Sequence, residues 1–340
     1  MKASFLVRNG KPEKAFEIRE TEKPVPEAGQ ALIKVEGFGL NFADVMARLG
    51  LYREAPALPS ILGYDVVGRV ESIGAGFEDV KVGDRVMALT RFGGYAEYAV
   101  TDAYAIAKIP EEMEPGVAVA LSTQYCTAYF MAEEMGPVQS GDRVLIHNAA
   151  GGVGTALVQL ARYREAIIFG TAGSNQKLEY LKKSGVHYPI NYREVDFSSE
   201  IRKIIGSGGI DVIFDPIGGA SVKKGIKLLG AGGRLISFGA SSMANASNIF
   251  GKLKVALGFG FYHPVGLLIK SKGIIGVNML RLADQRPEKI QRVMRQVVQM
   301  NQKGILDPNV GGTFRIDQLA EAHQFLESRK SMGKIVVTWN

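Results

Sequence analysis

At 340 residues, with 46% apolar and 22% charged side chains, the chain has the composition of a soluble enzyme long enough for two cores, and nothing in it indicates disorder. A single cysteine, Cys126, excludes an intrachain disulfide and any zinc site needing several thiolates, and points to a reducing compartment. The formal charge of +7 comes from Lys and Arg scattered along the chain, without the basic cluster and interleaved aromatics of a nucleic-acid site, so no nucleic-acid partner is expected.

Residues 1–20 carry charges every few positions and no apolar stretch of signal-peptide length, which predicts no targeting segment and a cytoplasmic protein. The first third then alternates in short β-rich runs: Ala31 to Gly37, Val66 to Ile73, Arg85 to Leu89 and Tyr95 to Val100, separated by Gly, Pro and Asp turns. These predict a β-barrel-like domain. From about Gln124 the rhythm becomes strand, helix, strand. Arg143 to His147 leads into a helix over Gly152 to Tyr163, and Ile167 to Thr171 into one over Asn175 to Lys183; strands follow at Asp211 to Phe214 and Arg234 to Phe238. Short apolar strands alternating with helix-length segments predict βαβ units and a parallel sheet. After Asn278 a long helix (Pro287 to Lys303), a short one (Asp317 to Ser328) and a last strand (Lys334 to Thr338) are expected to return to the first domain.

The stretch from Ile249 to Leu280 departs from this rhythm. It is rich in Leu, Gly, Phe and Val and has no charge between Val255 and Ile269. A bilayer helix needs about 20 apolar residues, and this run is shorter, contains Pro264 and three glycines, and is flanked by Lys252, Lys254, Lys270 and Lys272. It is expected to be a substrate lid, a dimer surface or an interfacial membrane patch rather than a span.

The strand RVLIHN feeds directly into AAGGVGTALVQLAR. Ala150, Gly151, Gly152, Val153 and Gly154 thus occupy a strand-to-helix turn, where backbone without Cβ atoms can approach a pyrophosphate and the helix N–H groups can face its charge. The following strand, IIFGTA, should end beside the adenosine ribose, where an Asp or Glu would select NAD. The sequence there reads Ala172, Gly173, Ser174, Asn175, Gln176, Lys177: no acid, a hydroxyl and a cation. This predicts NADPH as cofactor, with Lys177 either receiving the 2′-phosphate or standing as a solvated helix charge.

Residues Gly141 to Arg162 resemble the quinone oxidoreductase signature of the medium-chain dehydrogenase/reductase family. The likeness runs from GLNFADVMARLGLY through LPSILGYDVVGRVESIG and VGDRVMAL to FDPIGG and the terminal GKIVV. Within the family, NFADVMARLGLY together with FGTA and DPIGG is most similar to the branch named after the synaptic-vesicle amine transport protein. The resemblance implies an α/β fold: a GroES-like β-rich catalytic domain from residues 1–125 together with 271–340, a Rossmann doubly wound parallel-sheet domain over 126–270, and a cofactor cleft between them. It implies cofactor contacts at Asn41, Thr127 and Val153 near the nicotinamide, at Gly173, Ser174, Lys177 and Tyr192 around the adenosine phosphate, and at Phe238, Gly239 and Ser241 after the fifth Rossmann strand. Tyr192 also reads as a half-buried aromatic at a strand end. A homodimer joined at sheet edges, with IIGVNML as the edge, is implied as well.

Zinc-containing relatives use Cys and His ligands where this chain has Asn41 and Tyr64, and His147, His187, His263 and His323 are dispersed, so no bound metal is expected. Without a Lewis acid for an alkoxide, the expected reaction is hydride transfer to a quinone or α,β-unsaturated carbonyl, whose developing charge hydrogen bonds can stabilise. Asn41 and Tyr52 are the candidate catalytic residues. Asn41 alternatively braces a turn and Tyr52 alternatively packs in the core, while Asp44 and Asp65 read as scaffold. The competing expectation is a lipid-associated protein in which NADPH binding is structural or regulatory.

Overall fold

The computed structural model describes residues 1–76, 80–245 and 248–339. It divides into two compact units, Met1–Cys126 with Met279–Asn340, and Thr127–Asn278. Each is built around its own sheet.

The first unit contains β1 (Lys2–Leu6), β2 (Phe16–Glu20), β3 (Gln30–Leu40), β4 (Ser60–Ile61), β5 (Asp65–Ile73), β6 (Arg85–Leu89), β7 (Tyr98–Asp102) and β8 (Ile106–Lys108). The second contributes β9 (Arg143–Ile146), β10 (Ile167–Ala172), β11 (Tyr188–Asn191), β12 (Ile210–Asp215), β13 (Leu229–Ser237) and β14 (Gly273–Gly276); the chain then returns to the first with β15 (Val310–Arg315) and β16 (Lys334–Thr338).

In the first unit the sheet order is β15-β16-β3-β5-β6-β8, with β7 also paired to β3. β3 is its spine. Ile33, Val35, Phe38 and Leu40 from that strand meet Val66, Val86, Ile335 and Val337 in one apolar core. Alternation along β5, β6 and β16 puts these side chains inward, as period-two patterning requires. β7 begins three residues later than the sequence suggests. Tyr95 precedes it as a core residue, its ring stacked on Phe38 with centroids 4.5 Å apart, and its N–H donates to the Leu62 carbonyl at 2.9 Å instead of joining the β3 ladder.

The second unit is a parallel sheet in the order β11-β10-β9-β12-β13-β14. The chain winds outward from β9 in one direction and from β12 in the other, so the two halves meet at a switch point where open α/β sheets bind ligands beyond their strand ends. β14 pairs in parallel with β13, Arg234 opposite Gly273 and Ser237 opposite Gly276. That ladder places residues 271–278 with this sheet, so the boundary falls after Asn278 and not after residue 270 as the sequence suggested. The unit begins at Thr127, within a helix Cys126–Tyr129 flanked by π-helical turns at Leu121–Tyr125 and Phe130–Met135. No helix among the described residues is long and apolar enough to cross a membrane.

Candidate active site

The glycine run lies at the carboxyl end of β9, next to the switch point. The helix Gly152–Tyr163 starts at once, with Gly151 as a cap that has no side chain to fill the first-turn N–H groups. Asn148 takes a positive φ of 52° at the turn, and its carbonyl accepts from Gly151 N–H at 2.9 Å. A Cβ on Gly154 would collide with the Asn148 carbonyl oxygen and, at 2.7 Å, with the Ala149 Cα. The third glycine therefore lets the helix lie directly on the turn, bringing its positive amino-terminal end to the strand ends.

Across the sheet, the end of β10 presents Gly173 and Ser174. Ser174 caps the helix Asn175–Lys183, its Oγ accepting from Lys177 N–H at 3.4 Å. Lys177 is buried, which excludes the solvated-charge alternative. The space that a Cβ on Gly173 would need is occupied by the Tyr192 hydroxyl at 2.6 Å and approached by Arg193 Nε at 3.2 Å. Tyr192 N–H is held on the Ala172 carbonyl at 3.1 Å, so the residues after β11 fold over the end of β10. Gly173, Ser174 and Tyr192 thus lie together at the carboxyl end of β10 with Arg193 beside them, and Lys177 lies in the first turn of the helix that Ser174 caps. Phe238, Gly239 and Ser241 follow β13; Ser241 N–H donates to the Pro216 carbonyl at 3.1 Å, tying this turn to the one after β12. Thr127 is buried at the start of the unit.

In the first unit, Asn41 directly follows β3 and caps the helix Phe42–Arg48. Its backbone N–H donates to Asp44 Oδ2 at 2.8 Å, while its side chain is engaged at both ends: Nδ2 donates to Asp65 Oδ2 at 3.0 Å and Oδ1 accepts from Lys334 Nζ at 3.0 Å. Lys334 Nζ and Asp65 Oδ2 form an ion pair at 2.7 Å with both side chains fully buried. Gly39 makes room for it, because a Cβ there would meet the Lys334 side chain and Asp65 Oδ1. Asp44 is also fully buried. Asp44 lies near this ion pair without joining it, and burial pushes its carboxyl up to about 8, so at neutral pH it carries its proton. Asn41 is therefore braced, and its position is set by groups beneath it.

Tyr52 packs against the edge of the apolar core, its ring edge-on to Tyr64 at 6.3 Å. Burial raises both phenols above their ordinary value, keeping them protonated. The histidines are apart. His323 lies in the first-unit core beside the Tyr95 hydroxyl at 3.2 Å and burial pushes it down to about 3; His147 Nδ1 contacts Thr171 Oγ1 at 3.1 Å in the second unit and is likewise lowered by burial. Among the described residues no three His, Cys, Asp or Glu side chains converge on a point that could hold a metal ion.

Residues 152–298 match the family described as zinc-binding dehydrogenase, and residues 27–111 match the alcohol dehydrogenase GroES-like domain. The chain is 34% identical over 322 residues to the synaptic vesicle membrane protein VAT-1 homolog of Homo sapiens, covering 94% of this chain and 81% of that one. It is 31% identical over 339 residues to the Homo sapiens quinone oxidoreductase, covering 99% and 97%. The chain belongs to the medium-chain dehydrogenase/reductase family. Against the Danio rerio VAT-1 homolog, which is 35% identical, it spans 65% of the relative's length. Among solved structures of the family, the Escherichia coli quinone oxidoreductase complexed with NADPH superposes with a TM-score of 0.87 at 26% identity, covering 99% of this chain and 100% of that one. The human VAT-1 homolog-like protein gives 0.86 at 28%, covering 99% and 98%.

The zinc of the family description does not fit the residues present. An amide, a carboxylate already neutralised by an ammonium, and a phenol stand at Asn41, Asp65 and Tyr64, and Lys334 puts a cationic head beside the oxygen a metal would need. Sequence reasoning missed Lys334 and Arg193. Lys334 opens a terminal strand of apolar residues, KIVVT, and nothing local distinguishes it from a surface lysine. Arg193 directly follows Tyr192, and its proximity to Gly173 depends on how the loop folds back.

Proposed function

We propose that this protein is a zinc-independent, NADPH-dependent reductase that transfers hydride to a quinone or another α,β-unsaturated carbonyl. The observation that carries the cofactor choice is the end of β10: no Asp or Glu lies between Ala172 and Lys177, Tyr192 and Arg193 close over Gly173, buried Lys177 lies in the first turn of the helix that Ser174 caps, and Glu194 on the same loop is engaged by Asn191 Nδ2 at 2.7 Å. An anionic 2′-phosphate is favoured at such a site, and a ribose hydroxyl lacks the acceptor that NAD enzymes supply. The NADPH complexes of family structures support the same choice.

NADPH, when bound, supplies the hydride. The backbone N–H groups of Ala150, Gly152, Val153 and Gly154 would hold its pyrophosphate, while Gly151, whose own N–H is spent on the Asn148 carbonyl, lets the backbone come close to it, with Thr127, Phe238, Gly239 and Ser241 as further contacts. Asn41 spends one amide hydrogen on Asp65 and keeps the other to donate to an oxygen that gains charge, in an orientation fixed by Lys334 and Asp44. The protonated Tyr52 hydroxyl is the proton donor to that oxygen. Reduction of a conjugated acceptor needs no more than this, since its charge is delocalised onto oxygen. The exposed edge of the parallel sheet, β14, is the surface by which a homodimer would join. A cytoplasmic location accords with the lone buried cysteine.

Cofactor selectivity tests the reading. The parent protein is expected to bind NADPH more tightly than NADH, and Lys177→Ala to lower NADPH affinity by about 10- to 100-fold, the scale of one charge-assisted hydrogen bond, with little effect on NADH. Preference for NADH, or indifference to Lys177→Ala, refutes it.

A further inference from the structure

Tyr64 is a buried polar side chain beside Tyr52 that the reaction above leaves unused. Its backbone is held firmly. The Tyr64 carbonyl accepts from Thr90 N–H at 2.9 Å, the Gly63 carbonyl accepts from Thr90 Oγ1 at 2.9 Å, and the next residue, Asp65, is locked by Lys334. The ring packs against two aromatics, Phe92 with centroids 5.1 Å apart and Tyr52 edge-on at 6.3 Å. Tyr64 is only 6% exposed, yet its hydroxyl has no hydrogen-bond partner among the described residues. Leaving a buried hydroxyl in that state is costly, and a role in function accounts for it.

The two phenols act on each other with opposite sign. Burial raises both; beyond that, Tyr64 draws Tyr52 down and Tyr52 pushes Tyr64 up, the pattern of a Tyr64 O–H aimed toward the Tyr52 oxygen. The contact is not a closed hydrogen bond while Tyr52 keeps its proton. Closing it on a neutral phenol gains little, whereas closing it on a phenolate makes a charge-assisted bond roughly twice as strong. The surrounding charges leave that bond free to form. Asp44 acts on Tyr64 more strongly than Glu54 does, and Asp44 carries its proton at neutral pH. Glu54, two residues beyond Tyr52, is paired with Arg281 at 2.7 Å and lies 3.9 Å from Arg91. Neither carboxyl competes for the Tyr64 proton.

We propose that Tyr64 is a positioning residue for Tyr52: its hydroxyl turns to donate to the Tyr52 oxygen once that oxygen has lost its proton. The inference rests on the reductase reading, with Tyr52 as proton donor. Hydride from NADPH adds to the conjugated acceptor and leaves negative charge on its oxygen; the Tyr52 O–H bond breaks and the proton goes to that oxygen. The Tyr52 phenolate then accepts from Tyr64 and regains a proton from water reaching the half-buried Tyr52. Tyr64 keeps its own proton throughout.

Two measurements on the full chain separate this pairing from simple packing and from the reductase reading. In the first, 3,5-difluorotyrosine replaces Tyr52 so that the phenol titrates closer to neutral pH, and fluorine NMR follows it with and without Tyr64→Phe. Loss of the donor should raise the titration midpoint by about 1–2 pH units. In the second, Tyr64→Phe, which retains the packed ring, should lower kcat on a quinone by about 10- to 100-fold and leave NADPH affinity unchanged. An unmoved midpoint, or an active parent whose kcat survives Tyr64→Phe within about threefold, overturns the proposal. A raised midpoint in a parent that oxidises no NADPH with any conjugated acceptor upholds the pairing and refutes the reductase reading instead.

Discussion

Substituting Asp44→Asn tests the buried cluster through its pH dependence. Asp44 sits fully buried with its carboxylate on the Asn41 N–H, near Asp65 and Lys334, and burial raises it to about 8 from an ordinary value of 3.8. Between those two values the native state keeps a proton that the unfolded chain has released, so stability falls as pH rises, by about 1.4 kcal/mol per pH unit while the difference is one full proton. His323 opposes this at lower pH. Its native value, about 3, lies below the unfolded value of 6.5, so it adds stability as pH rises between them. The two slopes offset below pH 6.5, and above it the Asp44 contribution remains. Asn retains an acceptor for the Asn41 N–H and carries no ionisable proton. Urea unfolding at pH 6.5, 7.0 and 7.5 should therefore show the parent losing about 1 kcal/mol relative to Asp44→Asn across that interval. Parallel pH profiles for the two proteins would refute the assignment of a proton to Asp44.

Lys334→Met should cost about 3–5 kcal/mol by leaving Asp65 buried without its cation, and adding Asp65→Asn should restore most of it; both are read by denaturant midpoint. Gly154→Ala should destabilise by about 1–3 kcal/mol, because the new methyl meets backbone at Asn148 and Ala149, and should weaken NADPH binding more than tenfold by calorimetry. Tyr52→Phe should lower turnover on a quinone by about 100-fold while leaving NADPH affinity unchanged, and Asn41→Ala should lower it as well. Undiminished turnover in both removes these roles.

The fold was legible because its signals are local and periodic. The strands around Ile33, Val66 and Val86 are short β-rich runs bounded by turn residues, and the glycines at 151, 152 and 154 fall between an apolar strand and an amphipathic helix. Gly173, Ser174 and Lys177 could be named as candidates for the same reason, each lying within a few residues of a strand end, whereas Tyr192 was named through the family resemblance. What sequence could not give was contact between segments far apart in the chain. Lys334 lies 269 positions from Asp65 and 293 from Asn41, so the pairing that braces Asn41 has no local mark. Tyr95 was placed in a strand because the run from Tyr95 to Val100 is β-rich; its ring instead stacks on Phe38, and β7 starts later. The apolar pattern of 249–270 was visible, whereas its outward direction depends on Gly258 and Phe259 taking the inward contacts.

The central claim is metal-free hydride transfer from NADPH to a conjugated acceptor. Initial rates of NADPH oxidation with and without 1,4-naphthoquinone, on protein whose zinc content is measured in the same preparation, test it most directly. The expected result is quinone-dependent oxidation by protein with substoichiometric zinc, unaffected by chelator. Absence of quinone-dependent oxidation, or activity removed by chelator and restored by zinc, would contradict it.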